Sequence, residues 1–261
     1  MEFPLYIVDA FAEKHFTGNP AAVCPLSEWL NDDLLQSIAA ENNLSETAFF
    51  VRHGDNYKLK WFTPTVEVDL CGHATLASAH VLFAHLNYKK QEIVFETKSG
   101  NLSVKIKKDL YVLNFPAMKP APIKSPEKLE QCLHETPMEV YKGSWFYLAV
   151  FENEAVIKKL KPDFNLMKEM GIDVIVTSKG SGEIDFVSRC FAPNAGIPED
   201  PVTGSAHCAL VPYWSDRLGR TSFHARQVSG RGGELYCEYL GDRVIIGGKA
   251  VTYSTGHIKI D

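Results

Sequence analysis

Two short stretches of the chain gather residue types that move protons. VDLCGHATLASAH (68–80) sets Cys71, Gly72 and His73 ahead of a small apolar run, and GIPEDPVTGSAH (196–207) sets Glu199 and Asp200 ahead of Gly204 and Ser205 in the same order. A glycine before a helix leaves backbone N–H groups open, and the unpaired N–H groups of a first turn carry a positive partial charge. Such a helix start can hold a carboxylate, so Gly72, Gly204 and the Ser205 hydroxyl are candidate substrate-binding groups. His73 at the mouth of the first turn titrates near neutral pH and could carry a proton; on position alone it reads equally as a helix-terminal residue bonded to the backbone. NLSETAFF (43–50) adds Glu46 at the entry to a strand-like run, where a carboxylate is either simply solvated or an acid/base group. Two carboxyl groups, Glu46 and Asp200, with an imidazole between them are what an enzyme needs to shift a proton between carbons, one group removing it while another delivers it.

The elements that would position these residues come in two sets. Trp61-Phe62-Thr63-Pro64 matches Cys190-Phe191-Ala192-Pro193, Gly72-His73-Ala74 matches Gly204-Ser205-Ala206, and Ser99-Gly100 matches Ser229-Gly230, all offset by about 130 residues. Strand-like runs precede each Phe-x-Pro element, TAFFVRH and YKLKWF in one half, DVIVTS and EIDFVSRCF in the other. After each glycine turn, ATLASAHVLFAHL and SAHCALVPYWSDRL are hydrophobic nearly all round, the pattern of a helix buried on every side, and His80, His85 and His207 within them read as packing residues. The expected architecture is α+β: two similar halves, each a mixed sheet wrapped on a central helix, divided near the Pro-rich PAMKPAPIKSPE (116–127) as 1–115 and 116–261, with the last strand open to return to the first half and the active cleft expected between the halves.

Composition narrows the class. With 45% hydrophobic and 23% charged residues in 261, the chain is an ordinary globular protein, and a net charge of −5 with scattered Lys and Arg argues against nucleic acid as a partner. No basic leader and no run of about 18 apolar residues stands in the sequence, so a cytoplasmic, non-membrane location is expected. The six cysteines are dispersed without a CxxC pair, which suggests neither a disulfide framework nor a thiolate zinc site. Gly18-Asn19-Pro20 is first a turn signal, and SGRGG (229–233) lacks the GK[ST] ending of a phosphate loop and reads as a hairpin turn.

Four blocks, DAFAEKHFTGNPAAV (9–23), NLSETAFF (43–50), WFTPTVEVDLCGHATLASAHVLF (61–83) and GIPEDPVTGSAHCAL (196–210), resemble the signature blocks of the PhzF-like family, proteins similar to the phenazine-biosynthesis isomerase. The resemblance implies the diaminopimelate epimerase fold with two pseudo-symmetric domains, a site in the cleft, no metal or organic cofactor, and a homodimer. It also implies that Glu46 is the acid/base residue, with His73 and Asp200 relaying protons or positioning the substrate, and Gly72, Gly204, Ser205 and Asn19 contacting it. The expected activity is therefore a cofactor-independent isomerase acting on a small carboxylate-bearing substrate whose identity the blocks do not specify. Two alternatives stand beside it. The epimerases of the fold use a cysteine at each helix start; Cys71 stands at the first, but PVTGS has no thiol and Cys208 lies inside the helix, so an amino- or hydroxy-acid epimerase would need a non-thiol partner for Cys71. The other alternative is a catalytically silent binding protein that has kept the fold.

Overall fold

Runs of β-branched and aromatic residues form the strands of a computed structural model that describes residues 1–171 and 173–260. The chain divides into two compact units, Met1–Asn114 with Gly247–Asp261, and Phe115–Ile246.

In the first unit β1 (Glu2–Ala10) pairs antiparallel with β2 (Asn19–Leu26). Helix α1 (Asp32–Asn42) then carries the chain back so that β3 (Glu46–His53) lies parallel to β2, with Glu46 opposite Ala21. β4 (Asn56–Phe62) returns antiparallel to β3, and the two-residue β5 (Glu67–Val68) folds back on β4. Helix α2 (Gly72–His80) crosses over to β6 (Glu92–Thr97), parallel to β4, which is followed by the antiparallel β7 (Gly100–Lys107) and β8 (Leu110–Pro116). The chain's final strand, Ala250–Lys259, runs antiparallel along all of β1 and so belongs to this unit. Helix α2 is buried at every residue from His73 to His80 and touches β1, β2, β3, β7 and the final strand, which is why its sequence shows no polar face. It ends sooner than its apolar run suggests, passing into a π-helical turn over Val81–His85.

The second unit begins with β9 (Ala121–Ile123), helix α3 (Glu127–Leu133) and β10 (Glu139–Lys142), which pairs antiparallel with both β9 and β11 (Phe146–Val150). Two short helices, α4 (Glu154–Lys159) and α5 (Phe164–Glu169), lead to β12 (Asp173–Lys179), parallel to β11. β13 (Phe186–Ala192) is antiparallel to β12, and β14 (Ile197–Asp200) folds back on it. Helix α6 (Gly204–Leu218) then crosses to β15 (Ser222–Gln227), parallel to β13; β16 (Gly233–Tyr239) is antiparallel to β15, and a further strand, Arg243–Gly248, follows it. The core helix α6 stacks Trp214 on Phe186 of β13, ring centroids 5.7 Å apart.

Each unit thus strings its strands in one pattern: antiparallel, parallel, antiparallel, parallel, antiparallel, with a two- to four-residue strand folded back just before the central helix. The matches found in the sequence fall at equivalent points of it. The Phe-x-Pro elements end β4 and β13, the glycines open α2 and α6, and the Ser-Gly pairs lie in the turns before β7 and β16.

Candidate active site

Parallel pairing of β2 with β3 brings their first residues, Asn19 and Glu46, to one end of the first sheet, and α2 starts against the same end. The approach to Asn19 is tight. Gly18 has φ +72°, and a Cβ there would lie 2.3 Å from the Ala10 carbonyl oxygen, so glycine is required for β2 to begin where it does.

Four side chains meet here. His73 Nε2 lies 3.1 Å from Glu46 Oε2, Nδ1 of the same ring lies 3.2 Å from Asn19 Nδ2, and Cys71 Sγ is 3.5 Å from that Nδ1. His73 is 6% exposed and the Glu46 side chain 13%. The Glu46–His73 contact has the length of an ion pair, yet its angle falls outside hydrogen-bond geometry, so Glu46 Oε2 and His73 Nε2 are both buried without a directed hydrogen bond. A buried polar atom in that condition marks either strain or a group waiting for a partner.

Burial alone would disfavour the charged His73 ring, but the charges of the adjoining Cys71 and Glu46 outweigh it and hold the imidazole's pKa well above its ordinary value. Cys71 moves up as well: burial is the larger cause, and the Glu46 charge adds to it. Burial and the Glu46 charge thus favour the thiol, while the His73 ring beside it favours the thiolate; Cys71 caps α2 without any side-chain bond to the first turn.

Glu46, Cys71 and His73 offer donor atoms within 4.8 Å of one another, near enough to consider a metal. His73, however, turns Nδ1 toward Cys71 and Nε2 toward Glu46. The contacts run from Cys71 through the ring to Glu46, an order that suits proton movement along the imidazole, while the three donor atoms are also near enough to face one ion.

The residues singled out in the second unit form their own network. Asp200 ends β14 and accepts a 2.6 Å hydrogen bond from Thr203 Oγ1, while Gln227, fully buried at the end of β15, donates to the Asp200 carbonyl oxygen and accepts from the Thr203 N–H. Ser229 Oγ donates to the Pro201 carbonyl oxygen, which ties the SGRGG turn to the same loop. Gly204 opens α6 and is buried; Ser205 beside it is exposed. Gln227 went unnoticed in the sequence, because a glutamine ending a strand carries no local signal of its role as a clamp.

Glu199, the neighbour of Asp200, receives two hydrogen bonds from Arg189, at 2.7 and 2.9 Å, while Arg189 Nη1 also donates to the carbonyls of Ile157 and Leu160. Packing of α4 against β12 and β13 brings these carbonyls within reach, and it makes Arg189 a structural tie. All six cysteines are unbridged and buried. His80 and His207 are packing residues as expected; burial pushes each ring's pKa down to about 4, and the nearby His85 adds to the effect at His80. No helix among the described residues is long and apolar enough to cross a membrane.

The mixed-sheet α+β frame with a buried carboxylate–imidazole pair at a core-helix start is that of an enzyme of isomerase type, as the relatives of the chain are named. Residues 8–256 match the phenazine biosynthesis-like protein family, PhzC-PhzF, and the chain belongs to it. An uncharacterized isomerase of Pseudomonas aeruginosa is 49% identical over 260 residues, covering 100% of both chains. The crystal structure of a PhzF-family phenazine biosynthesis protein from Enterococcus faecalis superposes with a TM-score of 0.97 at 47% identity, again over 100% of both chains. A hydroxyproline epimerase from Agrobacterium vitis, 11% identical with a TM-score of 0.62 over 98% of this chain and 92% of its own, shares the fold alone.

Proposed function

We propose that this protein is a cofactor-independent isomerase that moves a proton within a small carboxylate-bearing substrate, with Glu46 as the acid/base group. The observation carrying this reading is the buried Glu46–His73 pair, held 3.1 Å apart with neither facing atom in a directed hydrogen bond. A carboxylate oxygen in that state keeps a lone pair for a carbon-bound proton, and the imidazole beside it steadies the charge before transfer and the carboxylic acid after it. The C–H electron pair stays with the substrate as an enolate while the proton sits on Glu46; returning it to a different carbon completes an isomerisation with no change of oxidation state. In this scheme His73 relays or orients, Asp200 positions the substrate, and the amides of Gly72 and Gly204 with the Ser205 hydroxyl hold its carboxylate or the developing oxyanion.

The test is deuterium entry from D₂O into a panel of small amino, hydroxy and cyclic enolisable acids, followed by mass spectrometry. Glu46→Gln is expected to lower exchange by roughly 10²- to 10⁴-fold, the usual contribution of a positioned acid/base group. Exchange at the wild-type rate in that variant would reject the assignment.

The 3.5 Å contact of Cys71 Sγ with His73 Nδ1 favours a second reading, an amino- or hydroxy-acid epimerase in which a Cys71 thiolate formed through His73 takes the proton. Burial of the thiol, which keeps it protonated, and the lack of a thiol at the start of α6 weigh against it.

A further inference from the structure

Asn19 Nδ2 faces His73 Nδ1 at 3.2 Å, with both side chains buried. An amide NH₂ offers only donors, so the ring nitrogen it faces must present its lone pair. A neutral imidazole has one proton; with Nδ1 accepting, that proton is on Nε2, the nitrogen 3.1 Å from Glu46 Oε2. Cys71 fits the same state, since its buried thiol can donate to the Nδ1 lone pair from 3.5 Å. Glu46 and Cys71 are the titratable groups whose charges act on this ring. The backbone keeps the amide in place: Asn19 pairs with Ala10 in the β1–β2 ladder, and Gly18 before it has no room for a side chain.

We propose that Asn19 is a positioning residue of the proton-transfer site, its carboxamide directing the single proton of neutral His73 onto Nε2, against Glu46. The inference rests on the acid/base reading above for its functional meaning, but the ring state it specifies can be measured without a substrate. A second proton on His73 would have to enter at Nδ1, where it meets the Asn19 NH₂, so the amide also restrains the pull of Glu46 and Cys71 toward an imidazolium. Without Asn19, the Nδ1–H tautomer competes, and its bare Nε2 sets a lone pair against the Glu46 oxygen.

Long-range ¹⁵N–¹H correlation of the histidine rings in the intact protein, recorded through and above the neutral range, reads the tautomer directly. Once the wild-type ring is neutral, which its raised pKa places on the alkaline side of that range, His73 is expected to show a protonated Nε2 and a bare Nδ1. Asn19→Ala is expected to give a tautomer mixture and to lower kcat for exchange roughly five- to tenfold, about the factor of one neutral hydrogen bond, with KM unchanged. Asn19→Asp, which keeps the shape and puts an acceptor at Nδ1, is expected to select the imidazolium and displace the pH–rate profile toward alkaline pH. A protonated Nδ1 in the neutral wild-type ring overturns the proposal, as does a tautomer and pH profile unmoved in both variants. If Asn19→Ala does not fold, the wild-type spectrum and the Asp variant decide. Exchange that survives Glu46→Gln while the tautomer still follows Asn19 would remove the catalytic reading and leave the positioning one.

Discussion

Acidification should unfold this protein partly through one core histidine. His207 lies in the first turns of α6, fully buried, with Nδ1 2.8 Å from the Thr203 carbonyl oxygen. A carbonyl only accepts, so Nδ1 carries the proton and Nε2 holds a lone pair that has no hydrogen-bond partner. A second proton at Nε2 would put a charge in the core beside Phe186, which is why burial depresses the pKa to about 4. The unfolded chain takes that proton first, near pH 6.5. The contribution is therefore whole above that pH and drains away as pH falls through 4. The gap between 6.5 and about 4 corresponds to about 3 kcal/mol when the ring is charged in both states, and to about 2 kcal/mol already at about pH 5. His80 titrates in the same direction, so the measurement must be a difference. Urea unfolding of wild type and His207→Leu at about pH 8 and about pH 5 supplies it. The leucine variant gives up the bond to Thr203, worth about 1 kcal/mol, at both pH values, but the wild type should lose about 2 kcal/mol more than the variant on acidification. A stability difference that is equal at the two pH values to within about 0.5 kcal/mol would refute the reasoning.

Two further outcomes follow from the first unit. Gly18→Ala would add a left-handed backbone penalty to a Cβ at 2.3 Å from the Ala10 oxygen and 2.7 Å from the Ala12 Cβ. It should cost about 3 kcal/mol or more in denaturant unfolding, since each kind of strain is worth about 1–3 kcal/mol. Cys71→Ser separates the two enzymatic readings: with Glu46 as the base, the serine hydroxyl still reaches toward His73 and deuterium exchange falls no more than about tenfold, whereas a catalytic thiolate predicts a loss of at least about 10²-fold.

The residues of the site could be picked out from the sequence more readily than their contacts. Glu46 and His73 stood out because an acid at a strand entry and an imidazole after a helix-opening glycine are chemically loaded positions. Their 3.1 Å approach depends on the parallel register that sets Ala21 opposite Glu46, and register between strands far apart in the chain is a tertiary property. Asn19 read first as a turn residue for the same reason: its neighbour Pro20 and Gly18 speak locally, while its partner is 54 positions away. The partner of Glu199 is likewise invisible locally, because its counter-ion, Arg189, sits on another strand. Short polar helices escaped notice too. Helix α1 is marked only by Asn31 capping the Leu34 N–H and by two aspartates in its first turn, signals weaker than the alternation of the strands around it.

The duplicated frame keeps its backbone and changes its side chains at the step into the central helix. At the step into the central helix, Cys71-Gly72-His73 of the first unit corresponds to Thr203-Gly204-Ser205 of the second. In the first, the residue before the glycine contacts a titratable ring, and that ring contacts a carboxylate. In the second, the residue before the glycine is held by hydrogen bonds with Asp200 and Gln227, while the residue after the glycine is left exposed. The same backbone therefore carries an imidazole–carboxylate contact in one copy and a hydrogen-bonded Thr–Asp–Gln arrangement in the other. On the acid/base reading proposed above, His73→Ser would remove the titrating ring from the first unit and leave the hydrogen-bonded arrangement of the second unchanged.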